Sequence, residues 1–193
     1  MIHVVLNIYW TKPAKFNFKK EKIINKIKYK DLFLLTKKNL EIAGLDAYSL
    51  DAVTLGLCET SLRGVDSHGI RLLPHYFNSA ISGRKNPNPE FEIINKFPSI
   101  IHLNADNAFG HAAGMKAIDI GMEVAANQGI ATIGVSNSSH PGAMASMALK
   151  AARNGYIAFA YTHADALVLS HGGKRPYFGT NPVCFAAPRK DDD

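Results

Sequence analysis

From Gly129 to Thr162 the chain reads "GIATIGVSNSSHPGAMASMALKAARNGYIAFAYT", and this run constrains the fold more than any other. Two short apolar runs bracket a segment with helical period. Strand, helix and strand at that spacing predict a βαβ crossover and a sheet with at least a parallel portion. Both strands, "IATIGVS" and "YIAFAYT", are expected to be buried. The helix is expected to start directly after His140, with proline at its start. The first strand ends in five consecutive polar residues, Ser136 to His140. In open α/β sheets ligands bind beyond strand C-termini, and helix N-termini there attract anions. A histidine at that spot suits general acid/base work, because its ordinary pKa lies near physiological pH. A surface loop histidine is the plainer alternative.

Upstream the pattern is helical. "YKDLFLLTKKNLEIAG" places Leu32, Leu35, Leu40 and Ala43 near a 3.6 period and stops at Gly44. "SLDAVTLGLCETSLRG" repeats this, with Ser49 as the expected N-cap and Gly64 as the stop. "HGIRLLPHYFNSAISG" sets Ile70, Leu73, Phe77 and Ile81 on one face, with Pro74 in the first turn. After the turn-rich "RKNPNPE", "FEIIN" and "SIIHLN" read as short strands, and "GHAAGMKAIDIGMEVAANQG" as an amphipathic helix ending at Gly129. The chain thus divides into a basic extension (1–29), a helical part (30–85) and an α/β part (86–193). The last residues, "GTNPVCFAAPRKDDD", begin one more strand and stop at a charge run, so the chain is expected to be C-terminally truncated.

Charge narrows the partners. The sequence pI is near 9.3, but residues 1–30 carry eight lysines and one acid. That leaves 14 cations against 15 acids in the remainder, too even for a nucleic-acid surface. No run of apolar residues is long enough to span a membrane. Cys58 and Cys184 form no CxxC pair, which argues against a disulfide scaffold and points to the cytoplasm.

Motif searches remove common enzyme classes. No GxGxxG or GxxxxGK[ST] loop occurs, "GVSNS" fails the GxSxG elbow, and no HExxH is present. On one helix, His68 and His75 would share a face two turns apart, unable to bind one ion without a third ligand; no metal site is expected. Ser67 in "VDSHG" reads by itself as a helix cap. The glycines around Lys174 in "SHGGKRPYFGTNP" suit tight turns or close approach to a ligand.

Four stretches occur in order in one family: "LRGVDSHGIRLLPHY", "HLNADNAFGHAAGMKAI", "GIATIGVSNSSHPGAMASMALKAARNGYIAF" and "GGKRPYFGTNPVCFAAP". From about Lys30 onward the chain resembles the type-2 malate/L-lactate dehydrogenases, a group that includes ureidoglycolate, sulfolactate and 2,3-diketogulonate oxidoreductases. The resemblance implies a mixed α/β fold of non-Rossmann type, incomplete here. It also implies NAD or NADP as cofactor and a small 2-hydroxy or 2-oxo acid as substrate, with members typically homodimers. By the same resemblance His140 is the proton acceptor, and Ser67 and His68 line the substrate pocket. Lys174 and the turn Gly179, Thr180, Asn181 and Pro182 lie near the cofactor. The family usually has arginine four residues after the "DSHG" histidine. Leu72 stands there, so Arg71, one position earlier, becomes the expected carboxylate clamp. The alternatives are an inactive fragment acting at most as a binding module, and a metal-dependent hydrolase.

Overall fold

The computed structural model describes residues 2–4 and 25–190. Most of the Lys-rich extension lies outside them; its described ends, β1 (Ile2–Val4) and β2 (Asn25–Ile27), pair antiparallel. Three helices follow. α1 (Tyr29–Ile42) buries Leu32, Thr36 and Leu40 at a spacing of four, and Gly44 beyond it takes a left-handed φ of 86°, a conformation that costs glycine least. Leu35, expected inside, is 51% exposed.

The central helix α2 (Ala47–Leu62) buries residues around most of its circumference. Its N-cap is Asp46, not Ser49: the Asp46 carboxylate accepts from Ser49 N at 2.6 Å. Ser49 lies inside the first turn and is fully buried. The third helical segment is broken. Asp66–His68 and Ile70–Leu72 are single 3-10 turns separated by Gly69, and α3 runs only from Leu73 to Ile81 with Pro74 in its first turn. His68 and His75 therefore do not share one helix. Ser67 caps nothing, because the residues preceding these helical pieces, Val65 and Leu72, make no side-chain cap bond. Tyr76, Ser79 and Ala80 form the buried side of α3, whereas Ile81 faces solvent. Leu40, Leu50, Val53, Leu57, Tyr76 and Phe109 join the three helices into one core.

A three-stranded sheet packs beside them in the order β3 (Glu92–Phe97), β4 (Ile100–Asn104), β5 (Thr132–Ser136). β3 and β4 are antiparallel; β4 and β5 are parallel, joined by α4 (Gly110–Gln128). The βαβ unit is therefore β4–α4–β5. α4 covers one face, with Ile120 and Val124 against Ile101, Leu103 and Ile133. β5 was expected to be buried, but only Ile133 is even partly so, because no helix among the described residues covers the opposite face. "YIAFAYT" departs in partner as well: β6 (Ala158–Tyr161) pairs antiparallel with β9 (Val183–Ala186) in a separate ribbon. One side of that ribbon, with Ala158 and Ala186, rests on α5 (Ala145–Arg153). Phe159, Tyr161, Val183 and Phe185 on the other side are exposed. α5 begins five residues after His140 rather than directly after it; Pro141 sits in the intervening loop. A small hairpin, β7 (Val168–Leu169) and β8 (Pro176–Phe178), completes the described chain. None of the described helices is long and apolar enough to cross a membrane.

Candidate active site

The loops leaving the C-terminal ends of β4 and β5 meet above the sheet. Ala105 N donates to Ser136 O at 3.0 Å and Asn107 N to Asn137 O at 2.8 Å. Asn107, with φ of 58°, makes further bonds. Its carbonyl accepts from Asn86 N at 3.1 Å, its Oδ1 from Lys85 Nζ at 2.7 Å, and its Nδ2 donates to Arg84 O at 3.1 Å. The side chain and both backbone groups of one residue thus join three segments of chain.

The start of α4 holds the His140 loop. Gly110 N donates to Ser139 Oγ at 3.0 Å, replacing the side-chain cap that Phe109 cannot provide. A Cβ on Gly110 would lie 2.5 Å from the His140 carbonyl carbon, so only glycine admits this approach. The next residue, His111, is fully buried. A Cβ on Gly56 of α2 would stand 2.7 Å from its Nε2, and one on Gly142 2.6 Å from its Cε1. The imidazole is therefore clasped between α2 and the loop after His140. Neither of its ring nitrogens has a hydrogen-bond partner, nor has the neighbouring Tyr76 hydroxyl. Burial, aided by the charge on His140, pushes His111 down to about 3, so it stays neutral. Burial raises the Tyr76 phenol well above its usual range.

Between α3 and these loops lies a cleft of about 730 Å³. Ser67, His68, Leu72, His75, Tyr76, Ser79, Arg84, Lys85, Phe109, Ser139, His140 and Asp165 line it. The rings of His68 and His140 face each other with centroids 5.3 Å apart. Ser67 Oγ is 3.0 Å from His68 Nδ1, leaving Nε2 of that ring available. His140 Nδ1 accepts a long 3.3 Å bond from Gly142 N. Partial burial, then the charges of His68 and His75, lower the His140 pKa. A neutral imidazole is able to receive a proton; a charged one is not.

Of the residues expected from sequence, Ser67, His68 and His140 converge on the cleft. Arg71 does not: it is exposed and absent from the lining, while Leu72 is part of it. The 3-10 turn at Ile70–Leu72, with three residues per turn, places adjacent side chains about 120° apart. Gly179 to Pro182 do not line the cleft but buttress it. A Cβ on Gly179 would crowd Ala164, and Asn181 Oδ1 accepts from Ala164 N at 3.1 Å. Ala164 is the neighbour of Asp165, which does line it. With Gly179 and Asn181 so engaged, the exposed Thr180 hydroxyl and Lys174 ammonium remain. Both are donors, a set that fits the amide and phosphate oxygens of a nicotinamide cofactor. Among the described residues no three His, Cys, Asp or Glu side chains are grouped to hold a metal ion.

The cleft also takes in Tyr76, Ser79, Arg84, Lys85 and Asp165, with His111 behind it, none of which the sequence singled out, and His75, weighed there only as a metal ligand. The one local signal was "GRK", two cations directly after a helix-ending glycine. His111 carries no such signal, because what surrounds it comes from distant parts of the chain.

The comparisons bring known proteins to this geometry. The family model for malate/L-lactate dehydrogenase matches residues 27–193. The malate dehydrogenase of Pyrococcus abyssi is 36% identical over 160 residues, covering 83% of this chain and 44% of that protein. The NAD(+) ureidoglycolate dehydrogenase of Escherichia coli K12 is 33% identical over 168 residues, 87% of this chain and 48% of that one. The structure of malate dehydrogenase from Pyrococcus horikoshii superposes with a TM-score of 0.83 at 32% identity, over 87% of this chain and 48% of that chain. The chain spans about half the length of the curated relatives it matches. With the family match reaching from just before the first described helix through the cleft to the last residue, the chain belongs to the malate/L-lactate dehydrogenase family.

Proposed function

We propose that this chain carries the substrate and proton-transfer half of a cytoplasmic, homodimeric dehydrogenase. The enzyme would move a hydride between NAD or NADP and a small 2-hydroxy or 2-oxo acid. The observation that carries this reading is the pairing of His140 with the Ser67–His68 corner across the cleft. His140 takes the substrate hydroxyl proton at Nε2. That step needs its other proton on Nδ1, so the long 3.3 Å bond that Nδ1 accepts from Gly142 N is given up in the reacting tautomer. In the reductive direction the imidazolium returns the proton to the carbonyl oxygen. His68, braced at Nδ1 by Ser67, offers Nε2 to the same oxygen. The nicotinamide, when bound, supplies or accepts the hydride; Lys174, Thr180 and the Gly179–Pro182 turn would hold it.

His140→Gln should lower turnover by roughly 10²–10⁴-fold with little change in substrate affinity, the usual worth of a positioned acid/base. Oxidation of NADH and NADPH with a panel of 2-oxo acids is the assay. A variant with near-normal turnover removes His140 from the mechanism. Absence of turnover in both proteins, with oxamate still bound, would mark the chain alone as a binding unit.

A further inference from the structure

A carboxylate-bearing substrate needs an unpaired cation in the cleft, and neither Leu72 nor Arg71, which is not part of the lining, supplies one. Two other cations do line it, Arg84 and Lys85, on the loop between α3 and β3. We propose that Arg84 and Lys85 form the anion-binding end of the cleft and hold the substrate carboxylate. The proposal rests on the reading of the cleft as a 2-oxo-acid site.

The first support is that neither cation is neutralised. The ion pairs of the described residues join Lys37 to Asp51, Arg63 and Arg153 to Glu59, and Lys150 to Asp119. Arg84 and Lys85 enter none of them, and Asp165, the acid of the lining, pairs with neither. Placing two like charges side by side costs stability unless an anion lies between or against them. Lys85 registers that cost: its partial burial, and then the adjacent Arg84, hold its ammonium pKa below the ordinary lysine range.

The second support is rigidity. Lys85 N donates to Ser79 O at 3.0 Å and Asn86 N to Asn107 O at 3.1 Å. Asn107 takes the Lys85 ammonium on Oδ1 and donates through Nδ2 to Arg84 O. The loop is thus fixed at four points, three of them on a residue that is also bonded to Asn137 of the His140 loop. A cation held in place before the anion arrives loses less entropy on binding than a free surface side chain. The division of roles also follows from chemistry. Lys85, with one hydrogen bond already made, offers a point charge; Arg84, with no side-chain partner, offers the planar two-pronged contact.

The test is calorimetric titration of the whole chain with oxamate, a non-reactive mimic of a 2-oxo acid. Arg84→Gln and Lys85→Gln should each weaken binding by about tenfold or more, the scale of a lost charge-assisted hydrogen bond. Lys85→Arg should restore most of the loss, and Arg71→Gln should change affinity less than about twofold. Lactamide, uncharged but otherwise similar, should bind alike to all of these proteins. A thermal melt of each variant separates lost binding from lost folding. The proposal fails if Arg71→Gln weakens oxamate binding while the loop variants do not, or if oxamate shows no saturable binding. Its failure is distinguishable from that of the proposed function. If oxamate affinity depends on Arg84 and Lys85 but His140→Gln keeps turnover, the anion end stands and the acid/base reading falls. The reverse pattern has the opposite meaning.

Discussion

Gly110→Ala probes the joint on which the site depends. The new Cβ would lie 2.5 Å from the carbonyl carbon of His140 and would overlap the Ser139 and His140 carbonyl oxygens as well. Carbon atoms in ordinary contact stand about 3.5 Å apart, so the loop and the helix must separate by about 1 Å. The obstacles are backbone atoms, which cannot rotate out of the way. The hydrogen bond from Gly110 N to Ser139 Oγ would lengthen by the same amount. Overpacking of this kind costs about 1–3 kcal/mol, and the lost bond about 1 kcal/mol more. For the proposed acid/base role of His140, a 1 Å misplacement corresponds to about 10²-fold in rate. Urea unfolding gives the first quantity, and turnover relative to oxamate affinity gives the second. Gly134→Ala is the control. It lies in β5, where a Cβ meets nothing closer than Ile101 O at 4.0 Å, so stability should hold or rise slightly. If Gly110→Ala unfolds like the parent and keeps its turnover, helix α4 does not position His140, and the account of the site is wrong.

His111→Gln tests the buried imidazole through pH. With a folded pKa of about 3 against about 6.5 unfolded, the neutral ring's contribution is fully present above pH 6.5 and drains away as pH falls toward 3. Between pH 7 and 5 the parent should lose about 2 kcal/mol more than the variant in urea titrations; equal slopes would show that His111 is not the group responsible. Asp46→Ala should lower stability by about 1 kcal/mol by freeing Ser49 N, seen as a shift in urea midpoint. The exposed strip of Phe159, Tyr161, Val183 and Phe185 should make this chain self-associate, and Phe159→Ser with Phe185→Ser should reduce that in sedimentation runs. A monodisperse monomer in the parent would refute it.

What could be read from sequence was whatever is decided locally. Gly44, Gly64 and Gly129 each follow a helix in the left-handed conformation, and a glycine after an apolar period announces that by itself. Ser49 was the expected cap, but the helix starts earlier and Asp46 caps it, which leaves Ser49 buried in the first turn. The apolar runs of β5 and β6 promised cover on both faces, but cover depends on where helices settle, and each strand has a helix on one side only. That β6 pairs with Val183–Ala186 is a contact across more than twenty residues, to which a period of two is blind. Ser67, His68 and His140, singled out from their motifs, do reach one cleft. Arg71 lies outside the lining and Leu72 within it, because the segment is a 3-10 turn and a one-residue difference in winding changes which side chain reaches the cleft. His111 was missed because Gly56 and Gly142 close on it from distant segments.

The four bonds of Asn107 make the cleft mechanically indivisible. The segment with Arg84 and Lys85 and the segment leading to His140 are more than fifty residues apart, yet one asparagine fastens to both. A displacement at either end is handed to the other through a single residue. Substitutions there will not sort cleanly into those that affect grip and those that affect chemistry, and their effects will fail to add. The same connection limits how such a site can drift: a new side chain that reshapes one end must be tolerated by the other, so change comes most easily in pairs.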